Sequence, residues 1–174
     1  DSTELQGGAV NLEELPAGLV DHVEVVRGPL ASFYGTSALA GVIQVFTPRG
    51  GPGPLKARLG AEAGNAHLRR GFGRVSGPAG RGGYAAGASW DEERHRIARD
   101  RFRQLDAFAN VDLPVGSTTD LALTGRFADG TIDDYPDASG GPVHGSGLVR
   151  HTEHRDLALG ARLGLGDPAG RRHQ

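Results

Sequence analysis

Four carboxylates crowd one polar stretch, Asp129, Asp133, Asp134 and Asp137 within DGTIDDYPD. Carboxylate oxygens at this density suit a hard cation such as Ca²⁺. The spacing is not that of an EF-hand. Counted from Asp129, the sixth position is Asp134, where the sharp turn needs glycine, and the twelfth is Gly140, where a bidentate glutamate belongs. A solvated acidic loop is the preferred reading, with a loop Ca²⁺ as its alternative and no other cofactor expected. His151 and His154 straddle two residues, and on a strand a separation of three points them to opposite faces, which is poor chelation geometry. Gly71, Gly73 and Gly77 miss the dinucleotide-binding spacing because Ser76 takes the third glycine's place. Ser32, in ASFYGTS, lacks the glycines of a nucleophile elbow. With no cysteine anywhere, thiolate catalysis, thiolate metal sites and disulfides are excluded. No constellation calls for an enzyme. The dense run ERHRIARDRFR, residues 93 to 103, reads as a solvated loop, with steering of an anionic solute or contact with lipid phosphates as the functional alternative.

The elements that carry these residues are extended. After the punctuation GGPGP at residues 50 to 54, apolar and polar residues alternate with the period of a strand. Leu59, Ala61 and Ala63 oppose Arg58, Gly60 and Glu62, and Phe72 and Val75 fall on opposite faces. Tyr84, Ala86, Ala88 and Trp90 oppose Ala85, Gly87 and Ser89. Leu105, Ala107, Ala109, Val111 and Leu113 oppose Gln104, Asp106, Asn110 and Asp112, with Phe108 on the polar side. Leu121, Leu123 and Phe127 oppose Asp120, Thr124 and Arg126, and Leu157, Leu159, Ala161, Leu163 and Leu165 oppose Asp156 and Arg162. This makes about six strands. The connections alternate too: residues 77–83, 114–118 and 166–172 are short and Gly/Pro-rich, residues 91–101 and 129–147 long and polar, and only 64–67 is short on the long side. Short turns at one end and long loops at the other is the up-and-down barrel arrangement of outer-membrane proteins. A soluble β-sandwich would show the same alternation, its apolar faces packed on each other.

Composition leaves both open. The chain has 174 residues, net charge −2 and 37% hydrophobic residues, so nothing in its charge points to nucleic acid. No apolar run approaches the roughly 18 residues of a membrane-crossing helix. Barrel strands need only about 9–11 residues each with every second side chain in lipid, so a mean hydropathy of −0.35 is compatible with them. The 29 glycines exceed what a packed globular core normally uses. The first residues, DSTELQGGAV, have neither the basic start nor the apolar stretch of a signal peptide, so an internal start is expected.

The most specific segment precedes the strands. Val23, Val25 and Val26 predict a strand that Arg27-Gly28-Pro29 must end, since Pro29 cannot join a ladder and restricts Gly28. Residues 30 to 34 are compatible with one helical turn. Gly35 frees the backbone, and residues 42–47 predict a second strand, with Gly41 before it suited to a bulge or to close approach of another backbone. The ordered run HVEVVRGP then SFYGTSALAGVIQVFTPRG resembles the C-terminal half of the plug domain of TonB-dependent outer-membrane receptors. The motif residues are Gly28, Pro29, Tyr34, Gly35 and Gly41. Ala40, Gln44 and Pro48 stand where the family more often has glycine, asparagine and lysine.

The resemblance is specific over residues 15 to 50 and generic beyond. It implies a mainly β chain: the C-terminal part of a plug at residues 1–50, then the N-terminal, antiparallel, up-and-down transmembrane strands of an incomplete barrel at residues 51–174. Such barrels close with about 22 strands around a plugged lumen. It further implies that Glu24 and Arg27 contact the inner barrel wall. The alternating Leu/Ala faces would meet outer-membrane lipid, with Tyr84, Trp90 and Phe127 near the interfaces. The implied function is energised uptake of a ferric siderophore, cobalamin or haem across the outer membrane of a Gram-negative bacterium, powered by TonB and its inner-membrane motor proteins. Siderophore ranks first on family frequency and cobalamin second on the Asp-rich loop, because calcium-ordered loops occur among cobalamin-transporting relatives. DDYPDASGGPVHG looks like an extracellular-loop signature of some members, which makes Tyr135 and His144 candidate ligand contacts. The competing class is a soluble or secreted β-rich binding module.

Overall fold

The computed structural model describes residues 15–28, 41–65, 67–94, 101–134 and 150–165. Among them are eight strands in two antiparallel sheets. A short 3-10 turn at Ala17–Leu19 leads into β1 (His22–Arg27), which pairs with β2 (Gly41–Phe46). The second sheet contains β3 (Lys56–Ala63), β4 (Arg69–Ala79), β5 (Gly82–Arg94), β6 (Arg101–Val115), β7 (Thr119–Asp134) and β8 (Arg150–Leu165), each hydrogen-bonded to the next in chain order. The order is that of an up-and-down meander, open at β3 and β8. The chain is thus mainly β with the strand arrangement of a partial barrel.

Strand length exceeds what the apolar alternation marks. β4 and β5 continue to a two-residue turn at Gly80-Arg81, and residues 77–83, expected as a turn, are mostly ladder. At the other end β5 runs to Arg94, β6 starts at Arg101 and β7 reaches Asp134, all inside stretches expected as long loops. Ladder hydrogen bonds are made by the backbone, so they continue whatever the hydropathy of the side chains, past Arg94 opposite Arg101 as past Asp129 opposite Arg155.

The faces sort cleanly. On β6 the even-numbered Gln104, Asp106, Phe108 and Asn110 are buried, as are Ala85 and Ser89 of β5 and Ala122 and Ala128 of β7, all brought to the same face by register. The opposite face carries Leu59, Leu105, Leu123, Leu157, Leu159, Leu163 and Leu165, all exposed; Leu59 retains 83% of its accessible surface and Leu159 78%. No second sheet covers these leucines among the described residues, so the sandwich arrangement is absent there.

The small core lies on the polar face. Leu19 from the 3-10 turn is buried together with Ala85 and Phe108, with Phe72 packed beside them. The aromatic residue that broke the alternation of β6 is therefore the residue that receives the N-terminal segment. In that segment His22 stacks on Phe46 at 4.4 Å between ring centres, and Gly41, at φ +151°, sits where a Cβ would come within 2.5 Å of the Val26 carbonyl oxygen. Close backbone approach, not a bulge, is the use of that glycine.

Candidate functional site

The inner face of the six-stranded sheet, where the N-terminal segment rests, concentrates the polar chemistry. Asn110 at the centre of β6 donates both to the Thr47 hydroxyl, at 2.9 Å, and to the Pro48 carbonyl, at 2.8 Å. Two residues along the strand, on the same face, Asp112 accepts from Arg49 at 2.7 Å. Arg74 of β4 donates to the Val20 carbonyl at 2.9 Å. Gly50 and Gly83 meet backbone to backbone, and a Cβ on Gly83 would clash with the Gly50 carbonyl carbon. One apolar contact of Leu19 with Phe72 and Phe108 and a few polar ties thus seat the segment around Leu19 and residues 47–50 on the sheet.

Beside this contact, a cavity of about 400 Å³ opens between the 3-10 turn and β3 to β6. Its wall carries Ser89, Asp91, Gln104 and Asp106 on adjacent strands, with Ser89 opposite Asp106 and Asp91 opposite Gln104. Gln104 donates to Asp106 at 2.7 Å, and Arg70 holds Asp91 at 2.9 Å. The Ser89 hydroxyl and the second Asp106 oxygen are buried with no partner among the described residues. Groups of this kind are accommodated by water or by a polar solute. A second cavity of about 390 Å³ lies between the N-terminal segment and the inner face of β6 to β8, against Thr124, Arg126 and Ala158.

The outer face carries a different chemistry at the long-connection end. Beyond Leu105 and Trp90, charges replace leucines. Glu92 takes Arg94 at 2.9 Å and Arg101 at 3.6 Å, and Asp129 takes Arg155 at 2.7 Å. His151 bridges Asp133 and Glu153.

Several candidate residues take defined places. Glu24 and Arg27 lie on β1, exposed along its whole length, with Glu24 3.7 Å from the His22 ring. Asp129 and Asp133 are strand residues on the outer face, engaged by Arg155 and His151, and Asp134 pairs in the ladder with Arg150. They form no single loop. Among the described residues no group of three or more metal-binding side chains converges. His151 and His154 point to opposite faces, as their spacing requires. Gly28, at φ +119°, ends β1. Pro29, Tyr34, Gly35, Tyr135, Asp137 and His144 lie outside the described residues, as does Ser32.

The residues that tie the N-terminal segment to the wall, Leu19, Arg49, Arg74, Asn110 and Asp112, were not singled out beforehand as contacts. The available signal was local: an aromatic residue and an amide in the middle of a polar strand face, and an arginine directly after the second plug-like strand.

No known protein-family profile matches the chain, and no solved structure does. Among curated proteins, the chain is 29% identical over 144 residues to the vitamin B12 transporter BtuB of Photobacterium profundum. The match covers 78% of this chain and 23% of that protein, so the chain spans under a quarter of the relative's length.

Proposed function

We propose that this chain is the second half of a plug, residues 1–50, and the first six wall strands, residues 51–174, of a TonB-dependent outer-membrane transporter. The observation that carries the reading is the two-sidedness of one sheet: a plug-like segment seated on its polar face and an uncovered apolar band on the other. From Leu105 to Val115 that band is ten residue steps, about 34 Å along the strand. A tilt of about 35–45° brings it to about 25 Å, the height of the lipid-facing band of outer-membrane barrels. Trp90 stands at its upper edge and Phe127 one row below, with Tyr84 deeper inside. A soluble binding module would leave this band in water.

The solute we assign is a cobalamin. The relative's name supports it over a siderophore, reversing the order that family frequency suggests. In this reading the plug is held to β4 and β6 by a handful of polar ties around one apolar contact, an interface weak enough for TonB, driven by its inner-membrane motor partners, to loosen. Glu24 and Arg27, exposed here, would meet wall strands beyond these six. Ligand contacts by Tyr135 and His144 remain parts of the proposal to be tested with it, whereas a Ca²⁺ on the Asp-rich stretch would have to displace Arg155 from Asp129 and His151 from Asp133. The protein encoded by the complete reading frame, expressed in a cobalamin-uptake-deficient Gram-negative host, should bind and import radiolabelled cyanocobalamin only when TonB is present. Import of ferric siderophores with no cobalamin binding would overturn the solute assignment, and TonB-independent uptake would overturn the class.

A further inference from the structure

The outer face of β4 to β6 ends in an unbalanced patch of charge. In one row above Trp90 and Leu105, register places Arg69 opposite Glu92 and Glu92 opposite Arg103. One row higher stand Arg94 and Arg101. Four guanidiniums therefore surround one carboxylate. Glu92 is already engaged by Arg94 and Arg101. Among the described residues, Arg69 and Arg103 are exposed and form no ion pair. Neighbouring strands lie about 4.8 Å apart, so the two side chains stand on strands about 10 Å apart, close enough for both heads to reach one tetrahedral anion between them. Directly below, the outer face is shallow and apolar, with Gly71 level with Trp90 and Gly73, Ala86, Ala88, Ala107 and Ala109 beneath Trp90 and Leu105. On β7 and β8 the same two rows carry Thr131 with Glu153 and Asp133 with His151, so the excess of guanidiniums is confined to β4 to β6.

We propose that Arg69 and Arg103 bind the phosphate of a phosphorylated membrane lipid in the leaflet at the long-connection end, with its acyl chains lying on the small-residue surface below. The proposal rests on the membrane reading above and adds to it a site, a headgroup chemistry and two residues. Charge complementarity decides the occupant: these two cations lie one strand row above the end of the apolar band, the level at which lipid phosphates sit. An acidic protein partner would need a large surface, and the adjoining β7–β8 rows are acidic.

Trp90, the only tryptophan of this chain, supplies the probe. The complete receptor is reconstituted in phosphatidylcholine vesicles containing phosphatidic acid with brominated chains, and the quenching lost in Trp90→Phe is the share due to this position. Brominated phosphatidic acid should quench Trp90 more strongly than brominated phosphatidylcholine. Each guanidinium near an anionic surface accounts for about a fivefold preference, so R69Q/R103Q should lower the preference about 25-fold. Arg162→Gln, on the inner face, should leave it unchanged. Inorganic phosphate should not displace the lipid. Equal quenching by both lipids, retained preference in R69Q/R103Q, or displacement by inorganic phosphate overturns the site while quenching of Trp90 by brominated phosphatidylcholine keeps the membrane reading intact. No quenching by any brominated lipid overturns both.

Discussion

Replacing Leu123 by arginine is the sharpest test of the proposed lipid-facing band. Leu123 lies on the outer face of β7, paired with Val111 of β6 on one side and Ala161 of β8 on the other, so its surroundings are wholly within the six strands. Its row is six residue steps below Leu105, about 20 Å along the strand and about 15 Å deep in a band of about 25 Å, close to mid-height. An arginine at bilayer mid-depth on the lipid face of a barrel costs about 2–4 kcal/mol, whereas near an interface it costs about 0–1 kcal/mol. Leu123→Arg should therefore lower the folding equilibrium about 30-fold to 800-fold, and Val115→Arg, in the last row, no more than about fivefold. Ala158→Arg, exposed on the inner face, should carry no bilayer penalty. The assay is urea-dependent folding of the complete protein into phospholipid vesicles, with folded protein read by its gel mobility before heating. Equal costs at Leu123 and Val115, or a greater cost at Ala158, would refute the depth argument.

Three other outcomes follow from the seat of the N-terminal segment. Asn110→Ala strands the Thr47 hydroxyl and the Pro48 carbonyl and should destabilise the seated N-terminal segment by about 1–3 kcal/mol, seen as faster protease cleavage near residues 48–53 in the reconstituted complete protein. Asp112→Asn should do far less, about 0.2–1 kcal/mol, because the Arg49 pair is half exposed; a larger effect than that of Asn110→Ala would contradict this ranking. Gly83→Val forces backbone away from Gly50 and should raise ion conductance through planar bilayers by displacing the segment, while an unchanged conductance would show that the contact is dispensable.

Much of this was legible in the sequence because a strand with one wet and one apolar face must alternate. Leu157 to Leu165, Leu105 to Leu113 and Tyr84 to Trp90 each fall on the faces their period requires, and the pairing of β4 with β5 and of β6 with β7 follows from connections too short for crossovers. Strand ends were not legible. The pattern weakens where the outer face turns from leucine to charge, so Asp129 and Asp133 read as loop carboxylates when they are ladder residues facing Arg155 and His151. The contacts of the N-terminal segment were hidden for another reason. Asn110 finds Thr47 and Pro48, and Asp112 finds Arg49, across more than sixty residues of chain, a distance over which no periodicity carries information. Phe108 was visible as an exception, and the exception marked the contact.

The most direct test of the central claim uses the absence of cysteine from this chain. Single cysteines are placed at each position from Gln104 to Val115 in the complete protein, with any cysteines elsewhere replaced, spin-labelled and reconstituted in phospholipid vesicles. Accessibility to molecular oxygen, which concentrates in the bilayer, and to a water-soluble nickel complex is then measured. A lipid-facing strand predicts high oxygen and low nickel accessibility at 105, 107, 109, 111 and 113, deepest at 109 and 111, with even positions shielded by the plug or in contact with water. Odd positions that are protected from both reagents, or that contact only water, would show that this face meets protein or solvent and would contradict the barrel account.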